Sequence, residues 1–318
     1  MTPPAPRALA ITGAGGYLGS RLVADLAGGP RPIRALVRAT VPWLATQDQR
    51  PLDLLDPAAA LAEALDGVST VVHLAGHNEV VAASDPDRAL AETALAGRHI
   101  VEAARAAGVE RLVYVSTIHV YGDRLAPGAT VDETVAPAPH GAYAVARLAV
   151  EHLVADGPDP VVLRLSNAVG APAHPNVDRW TLVAADLCRS AATTGELTLR
   201  STGQQWRDFI GLADVVEAVG TAIDPRAVPG GTYNLVSGRS TTVRALAELV
   251  QDRFEARTGR RPPLRAPDPV DPDPEPYHLD PARLAALGIQ ARQPLPDSID
   301  EIIELCLAIT PGPPGAQR

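Results

Sequence analysis

The strongest constraint on this chain is a short glycine run, Gly13-Ala14-Gly15-Gly16-Tyr17-Leu18-Gly19, set between an apolar segment and an amphipathic one. Ala8–Thr12 has the composition of a buried strand, Tyr17–Leu26 reads as a helix, and Ile33–Val37 reads as the next strand. Glycine at 13, 16 and 19 allows a tight turn and lets the backbone approach a pyrophosphate, which the helix N-terminus then stabilises. A glycine-rich turn alone says little. Between a strand and a helix it predicts a dinucleotide site, with Tyr17 and Leu18 opening the helix beside it. The alternative is close helix–sheet contact without a ligand.

The end of the second strand bears on which dinucleotide is bound. An Asp or Glu there would accept hydrogen bonds from the ribose hydroxyls, but this strand ends Leu36-Val37-Arg38. Val37 cannot accept them, whereas Arg38 could neutralise a 2′-phosphate through directional donors. The expected cofactor is NAD or NADP, with Arg38 favouring NADP; a solvated strand end is the other reading of that residue. Asp53 and Leu54, which follow Leu52, are placed to meet the adenine edge, although a surface-loop carboxylate would look the same.

Further along, apolar strands keep alternating with helices. Strands are expected over residues 68–74, 111–116 and 161–165, and helices over 58–65, 88–107 and 142–155. This rhythm predicts an α/β fold, a Rossmann-like doubly wound parallel sheet covered on both sides. Past Gly170 the pattern becomes irregular. Helices are expected near 179–191, 213–222 and 243–258, strands at 197–199 and 232–236, and short helices at 280–287 and 298–309. The proline-dense stretch 262–276 reads as an extended loop, and 311–318 as a frayed tail. The implied organisation is a dinucleotide-binding domain over residues 1–170 and a smaller, mainly substrate-binding C-terminal lobe over 171–318. The 232–236 strand is a candidate to return to the first sheet.

Composition narrows the function classes. With 28 basic and 37 acidic side chains the net charge is −9, the wrong sign for a general nucleic-acid or anionic-membrane binder. Cys188 and Cys306 are the two cysteines and have no nearby Cys/His cluster, so neither a disulfide framework nor a zinc site is expected. No apolar run approaches the length of a membrane helix, and the opening residues MTPPAPR lack a signal-peptide pattern. A cytoplasmic location is the expectation. All the Lys/Arg positions are arginine, so an Arg where Lys would be usual carries less information here.

The ordered motifs resemble the extended short-chain dehydrogenase/reductase family, in its sugar-nucleotide epimerase, dehydratase and ketoreductase branch. The resemblance starts at the Gly13–Gly19 turn and continues through Val71-Val72-His73-Leu74-Ala75-Gly76 and Val113-Tyr114-Val115-Ser116-Thr117. It then takes in Val120-Tyr121-Gly122, the helix bearing Tyr143, Leu163-Arg164-Leu165-Ser166-Asn167, Arg207-Asp208-Phe209-Ile210 and Tyr233-Asn234-Leu235. It implies that Leu74, Ala75 and Gly76 line the cofactor and that Thr117 and Tyr143 form the reactive pair. Chemically both roles are sound: a threonine can orient a substrate oxygen, and a tyrosine can serve as general acid/base.

The chain also departs from the family pattern. Family members place Lys four residues after the Tyr, to hold the nicotinamide ribose and lower the Tyr pKa. Here that position is Arg147, which keeps the charge on the same helix face but needs more room. A dehydratase would carry Asp and Glu directly after the Thr; this chain has Ile118 and His119, which disfavours dehydration. His119 is a candidate for a second proton-transfer role, or for a structural hydrogen bond. Asn167 and Arg207 occupy the positions that meet the sugar-nucleotide and its diphosphate, with an Arg207–Asp208 ion pair as the alternative. No metal is required.

The activity implied is epimerisation of a nucleotide sugar through a transient keto intermediate, at C4 by family analogy. NADPH-dependent ketoreduction of a nucleotide-linked or related keto-sugar is the alternative, and the ligand could also be a related small polyol or ketone. Arg147 leaves a third possibility, a non-catalytic nucleotide-binding sensor or scaffold. Relatives often dimerise through two helices per subunit, and residues 88–107 and 142–155 could supply that surface of a homodimer.

Overall fold

The structure is a computed structural model that describes residues 6–269 and 274–310. The tail 311–318 and part of the proline-dense stretch lie outside the described residues. A seven-stranded sheet forms the centre, in the order Gly231–Leu235, Pro160–Leu165, Arg111–Thr117, Val68–His73, Ala8–Thr12, Ile33–Val37, Asp48–Pro51. Every pairing within it is parallel.

Apart from the edge strand Asp48–Pro51, the strands are largely buried on both faces, and successive side chains serve opposite layers. Leu9 and Ile11 point to one side, where Leu22 and Val23 of helix Tyr17–Leu26 and Val215, Val216 and Val219 of helix Leu212–Ala222 meet them. Ala8 and Ala10 point to the other side. There they join Leu61 and Leu65, Ile100 of helix Pro86–Ala106, and Val150 and Val154 of helix Gly141–Ala155. Near-continuous apolar runs thus become one sheet with two cores, the doubly wound arrangement expected.

A separate apolar cluster lies beyond the sheet. It joins helices Val183–Thr193, Val243–Thr258 and Leu295–Ile309 through Leu187, Leu246, Phe254, Ile299 and Ile303. A small sheet of Asn167–Val169, Trp206–Gly211 and Ser240–Thr242 connects this cluster to the strand ends. The chain returns once more to the main sheet, where Gly231–Leu235 pairs with Pro160–Leu165 at one edge.

The structure differs from the sequence expectation where polar contacts override local pattern. Strand Asp48–Pro51 has no apolar alternation, yet it closes the other edge of the sheet, aided by the Arg34–Asp48 ion pair at 2.9 Å. Helix Glu79–Ser84 was not expected; the Asn78 side chain caps it by accepting from the N–H groups of Val80 and Val81. The helix expected from 179 begins only at Val183; Arg179 lies in the segment before it and pairs with Glu79 at 2.8 Å. Among the described residues no helix is long and apolar enough to cross a membrane.

Candidate active site

The parallel strands deliver their following loops to one end of the sheet, where ligands of open α/β folds bind. Four of these loops carry the expected cofactor residues. Gly13 has φ +66, and a Cβ there would stand 3.0 Å from the backbone nitrogen of Ala75. A Cβ on Gly19 would fall on the carbonyl oxygen of Gly13. These glycines therefore permit both the turn and the close seat of helix on strand. Gly16 caps the helix without a side-chain hydrogen bond, and the first helical turn holds no acidic residue. That positive, uncapped helix end fits an anionic pyrophosphate, so the residues present suit a dinucleotide.

A second element braces this cradle. The Thr12 hydroxyl oxygen accepts from the backbone N–H groups of Leu74 at 3.1 Å and Ala75 at 3.2 Å. Both lone pairs being used, its own hydrogen goes to Nδ1 of His73 at 2.8 Å. The imidazole then carries its hydrogen on Nε2, which is buried without a hydrogen-bond partner. Burial, reinforced by the Arg147 charge, pushes the His73 pKa down to about 3. The ring is neutral, and it fixes the Leu74–Gly76 loop against the glycine turn.

The remaining expected cofactor residues lie as follows. Tyr17 donates its hydroxyl to the carbonyl of Gly170 at 2.7 Å, tying the first helix to the end of strand Asn167–Val169. Leu18 packs against the first core. Arg38 is exposed at the end of its strand. Asp53 is also exposed, with one carboxylate oxygen accepting from the N–H of Leu55 at 2.9 Å, while Leu54 packs inward on the second core.

The reactive candidates converge between strand Arg111–Thr117 and helix Gly141–Ala155. Thr117 is buried at the strand tip, and its hydroxyl oxygen accepts from the N–H of His119 at 3.2 Å. The His119 ring meets Tyr143 edge-on, with centroids 6.2 Å apart. Burial and the Arg207 charge hold His119 below its ordinary pKa against an opposing pull from Glu79, although its outer edge remains exposed. Arg147, one helical turn beyond Tyr143, is buried with its Cζ 5.4 Å from the Tyr143 ring centroid. Burial disfavours its cation, but the hydroxyl-bearing Tyr114 and Tyr143 around it favour the charge more strongly. Gly76 makes the room: a Cβ there would stand 3.2 Å from the guanidinium.

On the substrate side, Asn167 donates to the carbonyl of Asp208 at 2.8 Å. The Asp208 carboxylate is buried and accepts from Ser166 Oγ, Ser237 N and Oγ, and Arg239 N. It does not pair with Arg207, whose Nη1 donates to the carbonyl of Trp206 at 2.7 Å. Among the described residues Arg207 has no ion-pair partner, which leaves its charge facing His119 and Tyr277. Two contacts not anticipated from sequence tie residues 171–182 to Trp43 and to helix Glu79–Ser84. Trp43 stacks on His174 at 4.6 Å, and Glu79 pairs with Arg179. A parallel sheet, a glycine cradle and a Thr–Tyr–Arg cluster at one end of the strands define the class of dinucleotide-binding oxidoreductase folds.

Comparison with known proteins agrees. Residues 9–235 match the NAD dependent epimerase/dehydratase family, and the chain belongs to it. It is 31% identical to dTDP-6-deoxy-L-talose 4-dehydrogenase (NAD(P)(+)) of Kitasatospora kifunensis, over 95% of this chain and 97% of that protein. It is 28% identical to GDP-6-deoxy-D-mannose reductase of Pseudomonas aeruginosa, over 77% of this chain and 79% of that one. The solved UDP-glucose 4-epimerase of Thermus thermophilus, complexed with NAD, superposes with a TM-score of 0.79 at 26% identity, covering 95% of this chain and 99% of that one.

Proposed function

We propose that the chain carries out NAD(P)-dependent oxidation and reduction at C4 of a nucleotide sugar, with epimerisation as the net reaction. The observation that carries this reading is the Thr117–Tyr143–Arg147 cluster at the mouth of the glycine cradle. Tyr143 exchanges a proton with the C4 hydroxyl, and Thr117 orients that oxygen. Arg147 supplies positive charge beside the Tyr143 ring. When bound, the nicotinamide supplies the hydride acceptor and donor for the sugar carbon. Gly13, Gly16 and Gly19 would hold its pyrophosphate, Leu74, Ala75 and Gly76 the adjoining wall, and Asp53 the adenine edge. Arg207 faces the substrate diphosphate, and Asn167 helps to hold that wall.

Ketoreduction is the second reading, favoured by exposed Arg38 at the ribose-recognition position and by the full-length likeness to a 4-dehydrogenase. The two readings differ in how cofactor is used. Freshly purified protein is denatured and the released dinucleotide identified by mass and amount. Near-stoichiometric NAD supports epimerisation, since an epimerase regenerates its cofactor in each cycle; NADP(H), or NADPH consumed with a keto-sugar, supports reduction. If neither dinucleotide is retained or bound on titration, both readings fail.

A homodimer built on helices Pro86–Ala106 and Gly141–Ala155 is part of the same proposal. Leu90, Leu95 and Val145 lie exposed on these helices, and covering them would remove apolar surface from water.

A further inference from the structure

The fully buried apolar residues of helix Gly141–Ala155 are Ala144, Ala146, Val150 and Val154, with Leu153 half-buried beside them. Alanine and valine side chains give shallow ridges, which resist sliding weakly compared with interdigitated large ones. Two turns beyond Tyr143, this helix carries a buried carboxylate. Glu151 accepts from the hydroxyl of Ser116, the residue before Thr117. It also takes a forked contact from Arg164, with Nη2 at 2.8 Å from Oε2 and Nε at 3.1 Å from the same oxygen. Both charged side chains are only 7% exposed. Arg164 lies within strand Pro160–Leu165, and its Cζ stands 4.8 Å over the ring of Tyr121. The Tyr121 hydroxyl donates to Asn234 Oδ1 at 2.6 Å, on the edge strand. Three neighbouring strands and the helix are thereby tied at one point.

Apolar residues can often replace a buried ion pair without loss of stability, so its presence is weak evidence for a stabilising role. Its directional bonds do something that alanine and valine contacts cannot: they define the register of helix against strand. We propose that Glu151 and Arg164 are positioning residues that hold the Tyr143 helix in register with the Ser116–Thr117 strand tip. The pair sets the distance between the reacting hydroxyls without touching substrate. This inference rests on the C4 oxidoreduction reading for its kinetic consequence, and on geometry alone for its structural one.

The test pairs the variant Glu151→Leu/Arg164→Met with Glu151→Gln. Removing both charges leaves no lone buried ion, and the double variant is expected to fold with an unchanged thermal midpoint and to retain cofactor. Its kcat should fall roughly 10- to 100-fold, as small misplacements of reacting groups do, while KM for the nucleotide sugar stays within about threefold. Glu151→Gln keeps an amide oxygen for Arg164, and its NH2 can donate to the Ser116 hydroxyl oxygen, so the register is kept and kcat should stay within about threefold of the parent chain, while the unpaired Arg164 charge lowers the thermal midpoint. Crystal structures of the parent and double variant give a readout that needs no turnover: the helix should shift along the strand in the double variant. An unmoved helix, or an unchanged kcat in the folded double variant, overturns the proposal. If the parent chain turns over no nucleotide sugar, the functional reading fails, and the crystallographic comparison still decides the positioning role.

Discussion

The guanidinium of Arg147 stands over the ring of Tyr143 at 5.4 Å from its centroid, and no carboxylate among the described residues pairs with it. Its Nε is buried without a hydrogen-bond partner. Leaving that one N–H unsatisfied costs about 1–3 kcal/mol, although Tyr114 and Tyr143 offset the burial of the charge itself. The position of Arg147 beside Tyr143, the proposed acid/base, gives that cost a functional meaning. Replacing Arg147 with Met should leave the thermal midpoint unchanged or higher while kcat falls by about 100-fold or more. A variant that loses stability and activity in proportion would show Arg147 to be structural.

Tyr143→Phe should abolish turnover, with a loss of about 100-fold or more, and leave cofactor affinity within about twofold. Its ring edge against His119 is preserved, so the fold should not suffer. Steady-state rates and a cofactor binding titration, run on the same preparation, check this.

Arg38 is exposed, and no hydrogen bond or ion pair among the described residues occupies it. Arg38→Ala should weaken NADPH binding by about 10-fold or more, the scale of one charged hydrogen bond, and leave NADH affinity nearly unchanged. Equal loss for both forms, measured by fluorescence titration, would remove Arg38 from 2′-phosphate recognition.

Gly19→Ala tests the cradle. The added methyl would press on the Gly13 carbonyl and lie 2.8 Å from Ala14 Cα, both of them backbone atoms. Such overpacking typically costs about 1–3 kcal/mol, and the glycine turn must move to relieve it. Cofactor affinity should drop along with the urea midpoint of unfolding.

His73 makes a pH-dependent contribution. Its folded pKa is pushed down to about 3 from an ordinary 6.5, so the unfolded chain takes up a proton in a range where the folded chain does not. Stability is therefore lost as pH falls below 6.5, by up to about 1.4 kcal/mol per pH unit. His73→Asn removes this contribution. Urea unfolding of both proteins at pH 7 and pH 5 should show the parent losing about 2 kcal/mol more than the variant across that interval; parallel curves would mean that folded His73 takes up its proton as readily as the unfolded chain does.

Much of the fold was legible because it rests on local pattern. Ala8–Thr12, Tyr17–Leu26 and Ile33–Val37 formed with the bounds that periodicity predicts, since apolar spacing and glycine placement act within a few residues. Thr117, Tyr143 and Arg147 were candidates through the family resemblance, and the structure brings them to one end of the sheet. The Glu151–Arg164 pair escaped notice, although an arginine inside the apolar strand Pro160–Leu165 was itself a signal. A charged residue in a buried strand implies a partner, and finding it requires knowing which helix packs there.

The sequence by itself determined the alternation of strand and helix, the glycine turn, the polarity of each strand face and the chemical types at the candidate site positions. Those follow from side-chain size, φ/ψ freedom and hydrophobic period, all properties of neighbouring residues. Only the tertiary structure decided that Asp208 would serve Ser166, Ser237 and Arg239 rather than Arg207. It alone decided that Thr12 would fix the His73 tautomer, and that Glu79 and Arg179 would pair. Hydrogen bonds and ion pairs act over about 3 Å, and which groups come that close depends on how distant segments pack, not on their spacing along the chain.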